Sequence, residues 1–110
     1  MSIQAVLKVS FWTSEAGHEP VREWLTSLSQ TDKKAIGKKI LTVQFRWPLG
    51  MPTVRKIERD LWEVRIRLEG GRIARVMFTL FNDKMVLLHG FIKKSQKTPM
   101  NDLALARTRK

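Results

Sequence analysis

The sequence predicts an α+β fold: an antiparallel sheet with a two-helix hairpin on one side, in the order β-α-α-β-β-β-α. Three observations predict it. Leu61 to Leu68 alternate strictly, with Trp62, Val64, Ile66 and Leu68 on one face and Glu63, Arg65 and Arg67 on the other, the pattern of a half-buried strand. Residues 20–47 instead place apolar side chains three and four apart, the period of helices buried along one stripe. Turn sequences at Glu69-Gly70-Gly71 and Asn82-Asp83-Lys84 divide the later chain into strands that return antiparallel.

Ile3 to Trp12 alternates as a first strand and runs into the loop Thr13–His18. Pro20 suits the first turn of a helix, where its missing N–H costs nothing, and Val21, Trp24, Leu25 and Leu28 form the buried stripe. Residues Ser29 to Thr31 break that helix, and Ser29 or Thr31 caps the next, expected from about Asp32 to Arg46. Its inward stripe is Ile36, Ile40, Val43 and Trp47, with Lys33, Lys34, Lys38 and Lys39 outside it. Gly37 costs that helix about 1 kcal/mol relative to alanine, which points to close packing there. Pro48 to Pro52 stop the helix, and three strands follow at about Val54–Leu68, Arg72–Phe81 and Met85–Lys93. Lys97-Thr98-Pro99 opens a last short helix, with Thr98 as its cap and Met100, Leu103 and Ala104 facing inward. The four tryptophans, Trp12, Trp24, Trp47 and Trp62, fall on apolar faces and read as packing residues.

A chain of 110 residues with 43% hydrophobic content is expected to form one domain, residues 1–110, around one core. It has no cysteine, so neither disulfides nor thiolate metal sites are available. No apolar run approaches the roughly 20 residues of a membrane span, and the N-terminus lacks a signal's long apolar centre. A cytoplasmic protein is expected, with no membrane partner. The charge is the strongest compositional signal: 21 Lys+Arg against 10 Asp+Glu, a net +11. Residues 1–50 hold 7 basic and 4 acidic residues, residues 51–110 hold 14 and 6. Such a field attracts polyanions and steers their association, so nucleic acid is the expected partner class.

Register turns that charge into a site. The apolar parity of the strand at Leu61–Leu68 pairs with Ala74, Val76, Phe78 and Leu80, which sets Leu68 opposite Arg72, Ile66 opposite Ala74 and Arg65 opposite Arg75. Across Asn82–Lys84, Leu80 faces Val86, Met77 faces His89 and Ile73 faces Lys93. One face therefore gathers Glu63, Arg65, Arg67, Arg75, His89 and Lys93, with Lys94 and Lys97 at its edge. Directly opposed like charges destabilise a sheet, and a bound phosphate would supply the return. Arg75 is expected to contribute charge and no core volume, so that Arg75→Ala removes function and leaves the fold.

Beyond composition and register, three segments carry a resemblance. Leu61-Trp-Glu-Val-Arg65, Arg72-Ile-Ala-Arg75-Val76 and Val86-Leu-Leu-His-Gly-Phe-Ile-Lys93-Lys94-Ser-Gln-Lys97-Thr98-Pro99 resemble the RelE/HigB toxins of bacterial type II toxin–antitoxin systems. The closest likeness is to the HigB-like, phage-associated branch, and Ser14 to Leu25 is similar to that branch's approach to its first helix. The resemblance covers nearly the whole chain, and it implies a RelE/ParE-like fold. It implies a ribosome-dependent mRNA endonuclease that inhibits translation, acting on mRNA in the ribosomal A site. It also implies a heteromeric complex with a cognate antitoxin that carries a helix-turn-helix domain. By position, Arg65, Arg67, Arg75 and Lys93 or Lys94 match the catalytic basic residues. Lys97, Arg72, Lys38 and Lys39 complete the set as RNA-binding candidates.

The chain departs from its relatives in having no tyrosine, where several use a C-terminal tyrosine or histidine near the scissile phosphate. RNA cleaves itself when its 2′-hydroxyl is deprotonated and aligned on the adjacent phosphate, and arginines suit the charge that develops on phosphorus. For the proton, Lys93 or Lys94 is preferred. His89 reads as a hydrogen-bonded core histidine, and His18 as a loop residue before a helix. No carboxylate–histidine cluster has ligand spacing, so no metal or other cofactor is expected. Two alternatives remain open on this scaffold: a ParE-like gyrase-inhibiting toxin, and a non-catalytic RNA-binding protein.

Overall fold

The computed structural model describes residues 4–93 and 98–110, in the order β1 (Lys8–Phe11), α1 (Pro20–Ser27), α2 (Gln30–Arg46), β2 (Val54–Glu58), β3 (Leu61–Arg67), β4 (Ile73–Phe81), β5 (Lys84–Lys93) and α3 (Met100–Arg109). The α+β class holds, with one sheet in the order β1-β5-β4-β3-β2. Two details differ from expectation. The single strand expected over Val54–Leu68 is a hairpin of β2 and β3, turned at Arg59-Asp60 with Asp60 at φ 58°. The sheet is also mixed, since β1 runs parallel to β5, pairing Lys8 with Lys84 and Phe11 with Leu87.

The central register follows the apolar parity. Ile66 pairs with Ala74, Arg65 with Arg75, Met77 with His89 and Ile73 with Lys93. Near the β4–β5 turn it slips by one: Leu80 pairs with Met85 rather than Val86. The turn holds only Asn82 and Asp83 between paired residues, with Asn82 at φ 57°. A bulge opposite Met77 and Phe78 places Leu88 as an extra residue and restores the expected pairing beyond it.

Each face of the sheet has its own core. On one, Val64, Ile66, Ala74, Val76, Phe78, Met85 and Leu87 pack against Val21 of α1 and Ile36, Ile40 and Val43 of α2. Trp47, Trp62 and Phe78 form an aromatic cluster there, with ring centroids 5.6–5.8 Å apart. Trp24 of α1 lies over Gly90, where a Cβ would stand 2.3 Å from the indole ring, so only glycine admits the helix at this distance. Gly37 has no such neighbour: a Cβ there would meet open space, and the close packing expected of it is absent. Ser29 is the cap of α2, accepting from the Asp32 N–H at 3.2 Å.

The opposite face packs Leu61, Met77, Leu88 and Phe91 against Ala106 of α3, with Leu103 and Trp12 alongside. Here the expected phase of the helix is corrected. Met100 and Ala104 point to solvent, while Asp102, Leu103, Ala106 and Arg109 turn toward the sheet. Pro99, not Thr98, occupies the cap position, and the Thr98 hydroxyl is used elsewhere. The physical reason lies in the sheet, which offers α3 polar partners as well as apolar ones.

Candidate functional site

β2 begins only at Val54, which pairs with Val64, so the stretch Arg65–Arg67 of β3 has no ladder partner on that side beyond the Arg65 N–H donating to the Thr53 carbonyl at 2.9 Å. Along this open edge runs a groove of about 540 Å³. One wall is α2, presenting Ala35, Lys38, Lys39 and Thr42; the other is Thr53, Ile66 and the two arginines Arg65 and Arg67. Four cationic side chains and no carboxylate line it. Because the groove lies at an edge, it joins residues from both faces of β3.

Arg65 also belongs to the second face, where it pairs directly with Arg75. Arg75 and Glu63 are both 0% exposed, and Arg75 is the largest fully buried side chain of the described residues. The expectation that Arg75 lacks core volume is therefore overturned. Burial pushes its guanidinium pKa down, the Glu63 carboxylate opposes that, and the charges of Arg65 and Arg55 add to it. The Thr98 hydroxyl links the two buried charges, donating to Glu63 Oε2 at 2.7 Å and accepting from Arg75 Nη1 at 3.5 Å. Glu63 Oε1 meets no hydrogen-bond donor among the described residues. Thr98 thus fastens the start of α3 to the charged centre of the sheet.

One step along the strands, His89 Nε2 lies 2.6 Å from Asp102 Oδ1 of α3. The His89 ring stacks on Phe91 with centroids 5.7 Å apart, and the Arg75 guanidinium carbon stands 6.0 Å from the same Phe91 ring. His18, by contrast, is an exposed loop residue 3.7 Å from Glu23.

The structure brings together Arg65, Arg67, Lys38 and Lys39 in the groove and sets Arg75 behind them. Lys93 is exposed at the end of β5, opposite Ile73 and in the same row as Arg67. Arg72 stands apart: its guanidinium binds both Asp32 carboxylate oxygens at 2.8 and 3.0 Å, and its Nε donates to the Glu69 carbonyl. That pairing holds the Asp32 carboxyl below its usual range and raises Arg72. Lys94 and Lys97 lie outside the described residues. Sequence reasoning missed the groove between α2 and the edge of β3, and the His89–Asp102 pair. The first needed the β2–β3 turn, and the second needed the phase of α3. A histidine on the strand face that also carries charge was the available signal for the pair.

Residues 23–110 match the family described as Phage derived protein Gp49-like (DUF891). The chain belongs to that family. It is a RelE/HigB-like toxin family of toxin–antitoxin systems, associated with RelE-like nuclease activity, and Gp49-like toxins typically pair with an antitoxin. No curated protein matches the chain. Among the described residues of this Gp49-like chain, no helix is long and apolar enough to cross a membrane. No group of three or more His, Cys, Asp or Glu among them is placed to hold a metal ion.

Proposed function

We propose that this Gp49-like toxin is an mRNA endonuclease of a type II toxin–antitoxin system that cuts mRNA in the ribosomal A site and so inhibits translation. The observation that carries this reading is the groove along the sheet edge, where Lys38, Lys39, Arg65 and Arg67 are the charged lining residues and no carboxylate joins them. Its dimensions and charge suit a sugar–phosphate backbone, which four fixed cations hold by displacing counterions. Arg65 and Arg67 grip the scissile phosphate through paired N–H donors and stabilise the charge that builds on it. Lys93 approaches from the far side of β4. Arg75 has no exposed surface, so it acts from beneath as a positioning residue, setting Arg65 by charge. The reaction is attack of the 2′-hydroxyl oxygen on the adjacent phosphorus, with orientation by the ribosome contributing several kcal/mol. Cleavage takes no metal ion in this scheme, since cationic side chains carry the phosphate's charge.

The cognate antitoxin, in this reading a helix-turn-helix protein, covers the basic surface until it is removed. The test is to map mRNA 5′ ends after brief induction of the protein and of Arg65→Ala, with and without translation. Translation-dependent cuts in frame with codons, lost in the variant, are the expected result. Growth arrest without new 5′ ends would overturn the reading and point to a target that is bound rather than cut.

A further inference from the structure

We propose that the outward face of α2 is the docking site for an acidic, amphipathic helix of the cognate antitoxin, which comes closest at Gly37; this deepens the toxin–antitoxin reading above and rests on it. α2 carries apolar side chains on both of its faces. Ile36, Ile40 and Val43 are buried in the core, whereas Leu41 and Phe45, four apart and so on one stripe, keep 51% and 39% exposure on the opposite side. Val6, also exposed, is tied to the same end of the helix by its N–H, which donates to the Gln44 carbonyl at 2.8 Å. Lys34 continues the stripe toward the helix start, with Gly37 on one flank and Lys38 on the other, and both lysines are exposed.

Gly37 has no use within the chain. Its backbone is helical, with no positive φ to demand a glycine, and an added Cβ would meet open space. Alanine would make the better helix. A glycine that nothing inside the fold approaches is accounted for by a backbone from outside it, packed against α2 at the short end of interhelical spacing, about 8 Å between axes.

Charge selects the occupant. Asp32 is the one carboxylate of α2, and Arg72 occupies both its oxygens at 2.8 and 3.0 Å, so the outward stripe is cationic beside its apolar centre. A second copy of this chain, with its net charge of +11, would set like charges against Lys34 and Lys38. A phosphate backbone would satisfy the lysines and leave Leu41 without a partner. A helix with aliphatic side chains along one stripe and carboxylates beside them meets the apolar pair, the lysines and the glycine together. Lys38 also lines the groove, so a carboxylate that takes it removes one of the groove's four cations and stands on its rim. Antitoxin and RNA then exclude each other at one side chain.

The test is calorimetric titration of the antitoxin encoded beside this chain into the protein, Gly37→Leu, Leu41→Ser/Phe45→Ser and Lys34→Glu. Met100→Ser/Leu105→Ser, an exposed apolar pair on α3, is the control. Gly37→Leu should weaken binding roughly 10- to 100-fold while holding or raising the unfolding temperature of the free protein, a combination that damage to the fold does not produce. Leu41→Ser/Phe45→Ser should weaken binding by roughly 30-fold or more. Lys34→Glu should weaken it roughly 10-fold, with a larger loss at low salt, and the control should bind as the unaltered protein does. Cleavage of mRNA by the variants should match the unaltered protein, because none of the altered residues lines the groove. Unchanged antitoxin affinity in both Gly37→Leu and Leu41→Ser/Phe45→Ser would overturn the proposal. If those variants instead lost a dimer of the free protein, or ribosome binding, with antitoxin affinity intact, the face would belong to a second copy or to ribosomal RNA. A protein that binds the antitoxin through this face and cuts no mRNA would remove the endonuclease reading and leave this one standing. Absence of antitoxin binding by the unaltered protein would remove the toxin–antitoxin reading and this one with it.

Discussion

The groove makes a quantitative prediction about salt. Its four cations, Lys38, Lys39, Arg65 and Arg67, each displace counterions from a single-stranded backbone, giving a slope of log K against log salt of about −2.8. Between roughly 50 and 200 mM salt, affinity for a single-stranded RNA should then fall about 50-fold. The double variant Lys38→Ala/Lys39→Ala removes half the set, so its slope should be about −1.4 and its loss over that range about 7-fold. Lys38 is exposed and Lys39 half-buried on α2, and alanine is the better helix former, so the variant should fold at least as well. Fluorescence anisotropy of a labelled RNA oligonucleotide across a salt series reads both slopes. Equal slopes for the two proteins would refute the placing of the backbone in this groove, whatever the absolute affinities.

Four further expectations concern the scaffold. Gly37→Ala should stabilise the protein by about 1 kcal/mol in urea unfolding, because the new methyl meets open space in a helix interior; Gly90→Ala should destabilise it by about 1–3 kcal/mol through its clash with Trp24. Arg75→Ala should cost about 3–5 kcal/mol, since it strands the buried Glu63 carboxylate; an unchanged unfolding midpoint would show that the charges are not coupled. Arg72 lowers the Asp32 pKa from 3.8, so the pair adds stability above that value and loses it as pH falls through the folded one. The gap in Tm between the protein and Asp32→Asn should therefore be full at neutral pH and close below pH 3.8.

What the sequence made legible follows from where its information is local. Alternation along Leu61–Leu68 and Ala74–Leu80 sets parity, and parity alone sets Arg65 against Arg75, the pairing the sheet adopts. The Arg59-Asp60 turn escaped because it carries neither glycine nor proline, and only Asp60's left-handed backbone makes it. The parallel pairing of β1 is set by distant packing, and no local pattern encodes it. The phase of α3 is not readable from an apolar stripe, because Asp102 turns inward to meet a histidine. Arg75 shows the same limit: its charge was readable, but its depth depends on Thr98, Phe91 and α3 closing above it.

The pairing of β1 with β5 has a consequence in time. β1 is made before the other strands, yet among the described residues its strand partner is β5, with most of the chain between them. The ladder of Lys8–Phe11 with Lys84–Leu87 must close a long loop, whose entropy is met only after the local β4–β5 hairpin offers an edge. The sheet is therefore completed late in synthesis. A nascent chain that stops short of β5 already holds the groove's four cations on α2 and β3, but it offers β1 no edge, so the first strand waits outside the sheet until β5 is in place.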